Sequence, residues 1–203
     1  MEKLYEENKQ MNSVVSARER GPWGDWKFRG NCDGTLIKDL ILRYRAKRVA
    51  DPMMGSGTSR DVVVGLNATG RYAIKYWGSD LKKGFDLASG QLPGEFDFIW
   101  VHPPYHNMIR YSNDPRDLSA QIDYYDFRMR LEQCLVNCTR ALIPGGRLAV
   151  LVGDLRRNGQ YRPIVRDVMN MEGILGQIRA VIIKTQHNCS SDSKQYNGME
   201  DPR

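Results

Sequence analysis

Apolar residues recur along the chain with two periods, and the order in which those periods alternate outlines the fold. Leu36, Ile37, Leu40 and Ile41 fall at i, i+1, i+4 and i+5, which predicts a helix to about Arg45 with Asp33 as its N-cap. Arg48-Val49-Ala50 reads as a short strand running into Asp51-Pro52, and Gly55-Ser56-Gly57-Thr58 as a glycine turn opening a helix through about Leu66. A second strand is expected over residues 73–78, ending at Asp80. A third, Phe96-Asp97-Phe98-Ile99-Trp100-Val101, runs straight into His102-Pro103-Pro104-Tyr105. After a long loop over 106–123, Phe127, Leu131, Leu135, Cys138 and Leu142 mark one face of an amphipathic helix that Pro144-Gly145-Gly146 should stop. A strand over 147–152, a helix over 164–174 and a strand over 177–184 complete the series. Strands that alternate with helices predict an α/β fold with a mostly parallel sheet, helices on both faces, and ligands beyond the strands' carboxyl ends.

The outer segments lack such periods. Residues 1–20 are polar and charged and are expected to form a flexible arm, residues 21–188 one domain, and residues 189–203 a polar tail. Between the arm and the first helix, Gly21-Pro22-Trp23-Gly24-Asp25-Trp26-Lys27-Phe28-Arg29 suits a pocket rim or base-stacking surface as well as a cover for the edge of the core.

Composition narrows the class. With 41% apolar residues in 203, one domain can build a core without staples. The balance of 30 basic against 24 acidic residues, a net +6, favours a polyanionic partner through phosphate neutralisation. Four cysteines without a charged-then-apolar leader argue for the reducing cytosol, and the longest apolar runs are too short for a membrane span. Cys134 and Cys138 share one helix face but lack a second pair at ligand spacing, so they read as core thiols, and no metal site is expected.

Two turns carry candidate chemistry. In Asp51-Pro52-Met53-Met54-Gly55-Ser56-Gly57-Thr58, glycines two apart let backbone approach a ligand at the start of a helix, where free N–H groups make a mildly positive site. No lysine follows the second glycine, so this is not a phosphate-gripping P-loop. Asp80 follows Gly57 near the offset at which doubly wound folds place a carboxylate on ribose hydroxyls. In His102-Pro103-Pro104-Tyr105, consecutive prolines fix φ and remove donors, leaving carbonyls as acceptors and projecting Tyr105 from a rigid turn. Such a turn suits a flat, amine-bearing ring.

These residues resemble a known family. Asp51 to Thr58 is similar to the cofactor motif of the amino-group (N6-adenine and N4-cytosine) DNA methyltransferases, and His102 to Tyr105 is similar to their catalytic motif. The resemblance extends from about Trp23 to Asn188 and implies a Rossmann-like, S-adenosylmethionine-dependent methyltransferase fold. It implies that Gly30-Asn31-Cys32-Asp33-Gly34 is a segment at the methionine end of the cofactor, Asn31 and Cys32 foremost, that Asp80 and Leu81 bind its ribose, and that Asp86 serves the adenine side. It implies DNA as partner, with RNA the alternative, and direct methyl transfer to a flipped-out base, adenine N6 favoured over cytosine N4 because Tyr105 stands where tryptophan would lean towards cytosine. Arg110, Tyr111 and Arg116 in the long loop, with Arg156, Arg157 and Arg162 further on, are candidates for backbone phosphates. A target-recognition region has little space here, so sequence choice is loose or depends on a homodimer partner. A non-catalytic cofactor- or nucleic-acid-binding module is the reading of another class.

There are two departures from the family pattern. His102 replaces the usual Asp, Asn or Ser, so it must present a lone pair as neutral imidazole, and activity should fall below its pKa. No final antiparallel strand is legible after Lys184.

Overall fold

The computed structural model describes residues 12–16 and 21–185; the remainder of the expected arm and the whole tail 189–203 lie outside them. In chain order the elements are β1 (Val14–Val15), α1 (Thr35–Arg43), β2 (Arg48–Asp51), α2 (Thr58–Ala68), β3 (Lys75–Gly78) and β4 (Phe96–Val101). These are followed by α3 (Tyr124–Arg140), β5 (Leu142–Val150), β6 (Leu155–Arg157), β7 (Gln160–Arg162), α4 (Ile164–Met169), α5 (Glu172–Leu175) and β8 (Ile183–Lys184).

The centre is a four-stranded sheet in the order β3-β2-β4-β5, and every pairing in it is parallel. The chain leaves β2 towards one edge to make β3, then returns past β2 to make β4. The carboxyl ends of β2 and β4 therefore flank the point where winding reverses, where doubly wound sheets open a crevice. This is the Rossmann-like α/β architecture expected.

Side chains alternate across the sheet into two layers. Val49, Phe98 and Trp100 pack with Leu36, Ile37, Leu40 and Ile41 of α1 and Val62, Val63 and Leu66 of α2. Ala50, Ile99 and Val101 face Phe127, Leu131, Cys134, Leu135 and Cys138 of α3. Both α3 cysteines are core thiols, and burial pushes the Cys134 pKa up to about 12.

Several boundaries differ from the periodicity, each for a local reason. Gly34 is the N-cap residue of α1, and Asp33, one position earlier, still accepts the Thr35 N–H at 3.2 Å. Helix α3 ends at Arg140 because Leu142 already pairs with Phe96; Pro144-Gly145-Gly146 is an irregularity inside β5, where pairing jumps from Leu142 to Arg147. The helix expected over 164–174 breaks at Asn170-Met171 into α4 and α5. The strand expected over 177–184 contracts to Ile183–Lys184, which pairs in parallel with Val14–Val15, inside the segment expected to be an arm. Ile183 N–H donates to the Ser13 carbonyl at 2.7 Å and Thr185 N–H to that of Val15 at 2.9 Å. Among the described residues no antiparallel strand joins the central sheet, and no helix is long and apolar enough to cross a membrane. The hairpin β6-β7 was not foreseen, although its signal, Asn158-Gly159 with φ of 50° and 72°, stands in the sequence.

Candidate active site

The glycine turn after β2 is fixed from within. Asp51, 3% exposed, accepts the Met53 N–H at 3.1 Å on one carboxylate oxygen and the Ser59 hydroxyl on the other. The Asp51 carboxyl thus braces the start of α2 against the end of β2. Burial raises its pKa to about 7 despite those two donors. Gly57, at φ 85°, makes the left-handed step into α2, a conformation that a side chain would strain.

The end of β3 is stitched to the same turn. Ser79 N–H donates to the Asp51 carbonyl at 3.1 Å, and Met54 N–H to that of Ser79 at 3.0 Å. Asp80 follows at once, extended, with its carboxylate accepting the Lys83 N–H at 3.0 Å. Leu81 opens the short turn that this bond closes. Asp86 lies further along, held by Arg130 of α3, whose Nη2 donates to both its oxygens at 2.8 and 2.9 Å. Asn137, on the same helix, holds the Leu87 and Ala88 carbonyls, so α3 sets where this wall stands.

Residues 21–34 fold over the N-terminus of α2. Thr58 donates its hydroxyl to the Asn31 side-chain carbonyl, and Asn31 Nδ2 donates to the Asp25 carbonyl at 2.7 Å. The aromatic segment divides between core cover and pocket rim. Trp23 is 2% exposed and belongs to the core, whereas Trp26, 71% exposed, and Phe28 border the cleft. Cys32 also faces the cleft, and burial pushes its thiol up to about 12, so it remains protonated at neutral pH.

At the end of β4, the strand beside β2, the His102-Pro103-Pro104-Tyr105 turn lines the same crevice as Asp51. His102 Nε2 lies 3.1 Å from the Tyr105 hydroxyl, and the rings meet edge to face. Burial, with the Lys184 cation adding to it, lowers the His102 pKa to about 4, which keeps the imidazole neutral at physiological pH. Tyr105 is pushed up by burial and stays a phenol. Its ring packs over Gly153, where an added Cβ would lie 3.0 Å from Cε2. His106 then adopts φ 50° and is buried beside the rings of Tyr124 and Phe127 at 5.6 and 5.2 Å, which pins the far end of the turn to α3. His106 opens the loop expected over 106–123.

These walls enclose one cleft of about 930 Å³, within the range of pockets that hold whole cofactors. It gathers Asn31, Cys32, Asp51, Pro52, Met53, Gly55, Ser56, Thr58, Asp80, Leu81 and Asp86 with all four residues of the proline turn. Gly57 shapes this site from the turn itself. Two residues that sequence reasoning missed, Lys184 and Thr185, also line it, because β8 comes to rest there.

The candidate phosphate contacts divide. Tyr111 is occupied in the lip of the cleft, stacked on Phe28 at 5.9 Å with its hydroxyl donating to the Arg29 carbonyl at 3.0 Å. Arg116 is paired with Asp114 at 2.6 Å and lies at the cleft. Arg110 reaches the Ser112 carbonyl at 3.2 Å and is exposed. Arg156 and Arg157 are exposed on the hairpin, Arg156 over the Tyr161 ring and Arg157 donating to the Asn107 carbonyl beside the proline turn. Arg162 lies over Tyr124 at 5.0 Å.

No family model and no curated protein matches this sequence. Among solved structures, one of PigF with SAH aligns at a TM-score of 0.34 and 13% identity, over 71% of this chain and 49% of that one. The aligned part is about half of that chain, and a likeness of this size bears on neither reaction nor substrate.

Proposed function

We propose that this protein transfers a methyl group from S-adenosylmethionine to the exocyclic amine of a DNA base, adenine N6 foremost. One observation carries the reading: the glycine turn after β2 and the His-Pro-Pro-Tyr turn after β4 face each other across the winding reversal in one cleft. The first builds a cofactor-sized pocket with a carboxylate, Asp80, on the neighbouring strand end. The second offers acceptors and an aromatic face to a planar ring.

The residues fit such a cofactor on a feature of the cleft itself: Asp33 Oδ2 is buried there and accepts no hydrogen bond among the described residues. When bound, S-adenosylmethionine supplies an electrophilic methyl group on a sulfonium. The protein's work is then positional. The Pro103 carbonyl and Nδ1 of the neutral His102, in the tautomer whose Nε2–H donates to the Tyr105 hydroxyl, hold the two amino hydrogens, which favours a pyramidal nitrogen, and Tyr105 stacks on the extruded base. The hydrogen bond between His102 and Tyr105 makes the acceptor and the stacking ring one rigid unit. Exposed Arg156 and Arg157 on the hairpin meet the backbone beside the cleft.

Methyl transfer from labelled cofactor to duplex DNA, single-stranded DNA and RNA tests the proposal. Label in DNA as N6-methyladenine supports it; label in RNA alone overturns the substrate, and cofactor binding without any transfer favours a non-catalytic module. Tyr105→Ala should keep cofactor affinity within about two-fold while lowering transfer at least about 100-fold.

A further inference from the structure

Lys184 is distant in sequence from both motifs yet lines the same cleft, because β8 pairs with β1. It is half-buried and makes no side-chain hydrogen bond or ion pair with any described residue. A partly desolvated cation without a counter-ion is costly, and a ligand anion relieves that cost. The same cleft carries the opposite charge. Asp33 lines the cleft with one carboxylate oxygen spent on the Gly21 N–H at 3.1 Å and on Thr35, and the other buried and without a partner among the described residues. Cys32 lies within the field of both, its thiolate favoured by Lys184 and disfavoured by Asp33.

Neighbouring groups leave these two charges open. Cys32 stays a thiol and offers Lys184 no negative charge. Asp51 has both oxygens engaged, by Met53 and Ser59, so Asp33 Oδ2 is the open acceptor at this end.

We propose that Lys184 and Asp33 grip the zwitterionic amino-acid end of the cofactor, Lys184 holding its carboxylate and Asp33 Oδ2 accepting from its ammonium. The inference rests on the S-adenosylmethionine reading and assigns β8 and its pairing with β1 a role in binding. A zwitterion fits this cleft wall because the two protein charges are of opposite sign and come from separate elements.

The test is calorimetric titration of the full chain with two ligands, and it needs no turnover. S-adenosylhomocysteine carries the amino-acid end; 5′-methylthioadenosine keeps the adenosine and sulfur but lacks it. Lys184→Gln and Asp33→Asn should each weaken S-adenosylhomocysteine about ten-fold or more and leave methylthioadenosine unchanged, while Lys184→Arg retains most of the affinity. Equal loss of both ligands in Lys184→Gln would mean that the cleft wall itself had collapsed and would overturn the proposal. Unchanged affinity for both in Lys184→Gln overturns it as well. If the wild-type protein binds neither ligand, the cofactor reading fails and this inference with it, a result distinct from selective failure in the variants.

Discussion

His102 and Asp51 line the same crevice at the carboxyl ends of the paired strands β4 and β2, and burial shifts both towards their neutral forms. The folded His102 pKa is about 4, below the ordinary 6.5. Below pH 6.5 the unfolded chain takes up a proton that the folded chain refuses, so stability falls with pH down to about 4. The loss is on the order of 3 kcal/mol. Urea unfolding of wild type and His102→Asn at pH 7 and pH 4.5 checks this, and the variant should lack that component of the slope. Transfer activity should accordingly hold to well below pH 6.5 as far as His102 decides it. For Asp51 the sign is reversed. Its folded pKa is near 7 against an ordinary 3.8, so as pH rises from about 4 to 7 the unfolded chain ionises while the folded chain holds its proton; stability falls over that window and the full cost persists above it. Asp51→Asn keeps an acceptor for Met53 and removes that cost. It should melt several degrees above wild type at pH 8, with the gain vanishing towards pH 4 in a thermal-melt series.

The hairpin β6-β7 unites two strands and an aromatic cation stack into one basic finger beside the proline turn. Arg157 joins it to Asn107, so its position reports on the loop that follows Tyr105. If the finger meets phosphates, Arg156→Ala and Arg157→Ala should each weaken DNA binding alike across sequences. Each should reduce the slope of log affinity against log salt by about one, as read by anisotropy titrations at several salt concentrations. The elements show where sequence reading succeeds. Strand β4 was legible to the residue because all its residues but Asp97 are apolar and buried, and β2 and α2 because a glycine turn separates them. It failed where tertiary pairing overrides period. Leu142 fits the apolar stripe of α3 yet pairs with Phe96, and Pro144-Gly145-Gly146, which look like a helix stop, bulge a strand instead.

For the molecule as a whole, the two motifs meet because the winding reverses between β2 and β4, a strand order that the structure shows and that alternation with right-handed crossovers permits without dictating. That each motif ends a strand at the crevice side was legible in the sequence; that the two strands are neighbours was not. The contribution of Lys184 was not, since two-residue strands leave no periodic trace and β1 lies in a stretch that reads as polar arm. The pairing of β1 with β8 also bears on the order in which the chain folds. Thr185 and Val15 meet across 170 positions, so only four residues of ladder offset the entropy of a loop that encloses both core layers. Such a contact forms after the sheet and opens before it. In native-state hydrogen exchange, the amides of Ile183 and Thr185 should exchange through openings far shallower than those that release Ile99 or Val101. A ligand clasped by Lys184 should slow exchange at Ile183 and Thr185 selectively. The last wall to assemble would then be the one that ligand binding itself completes.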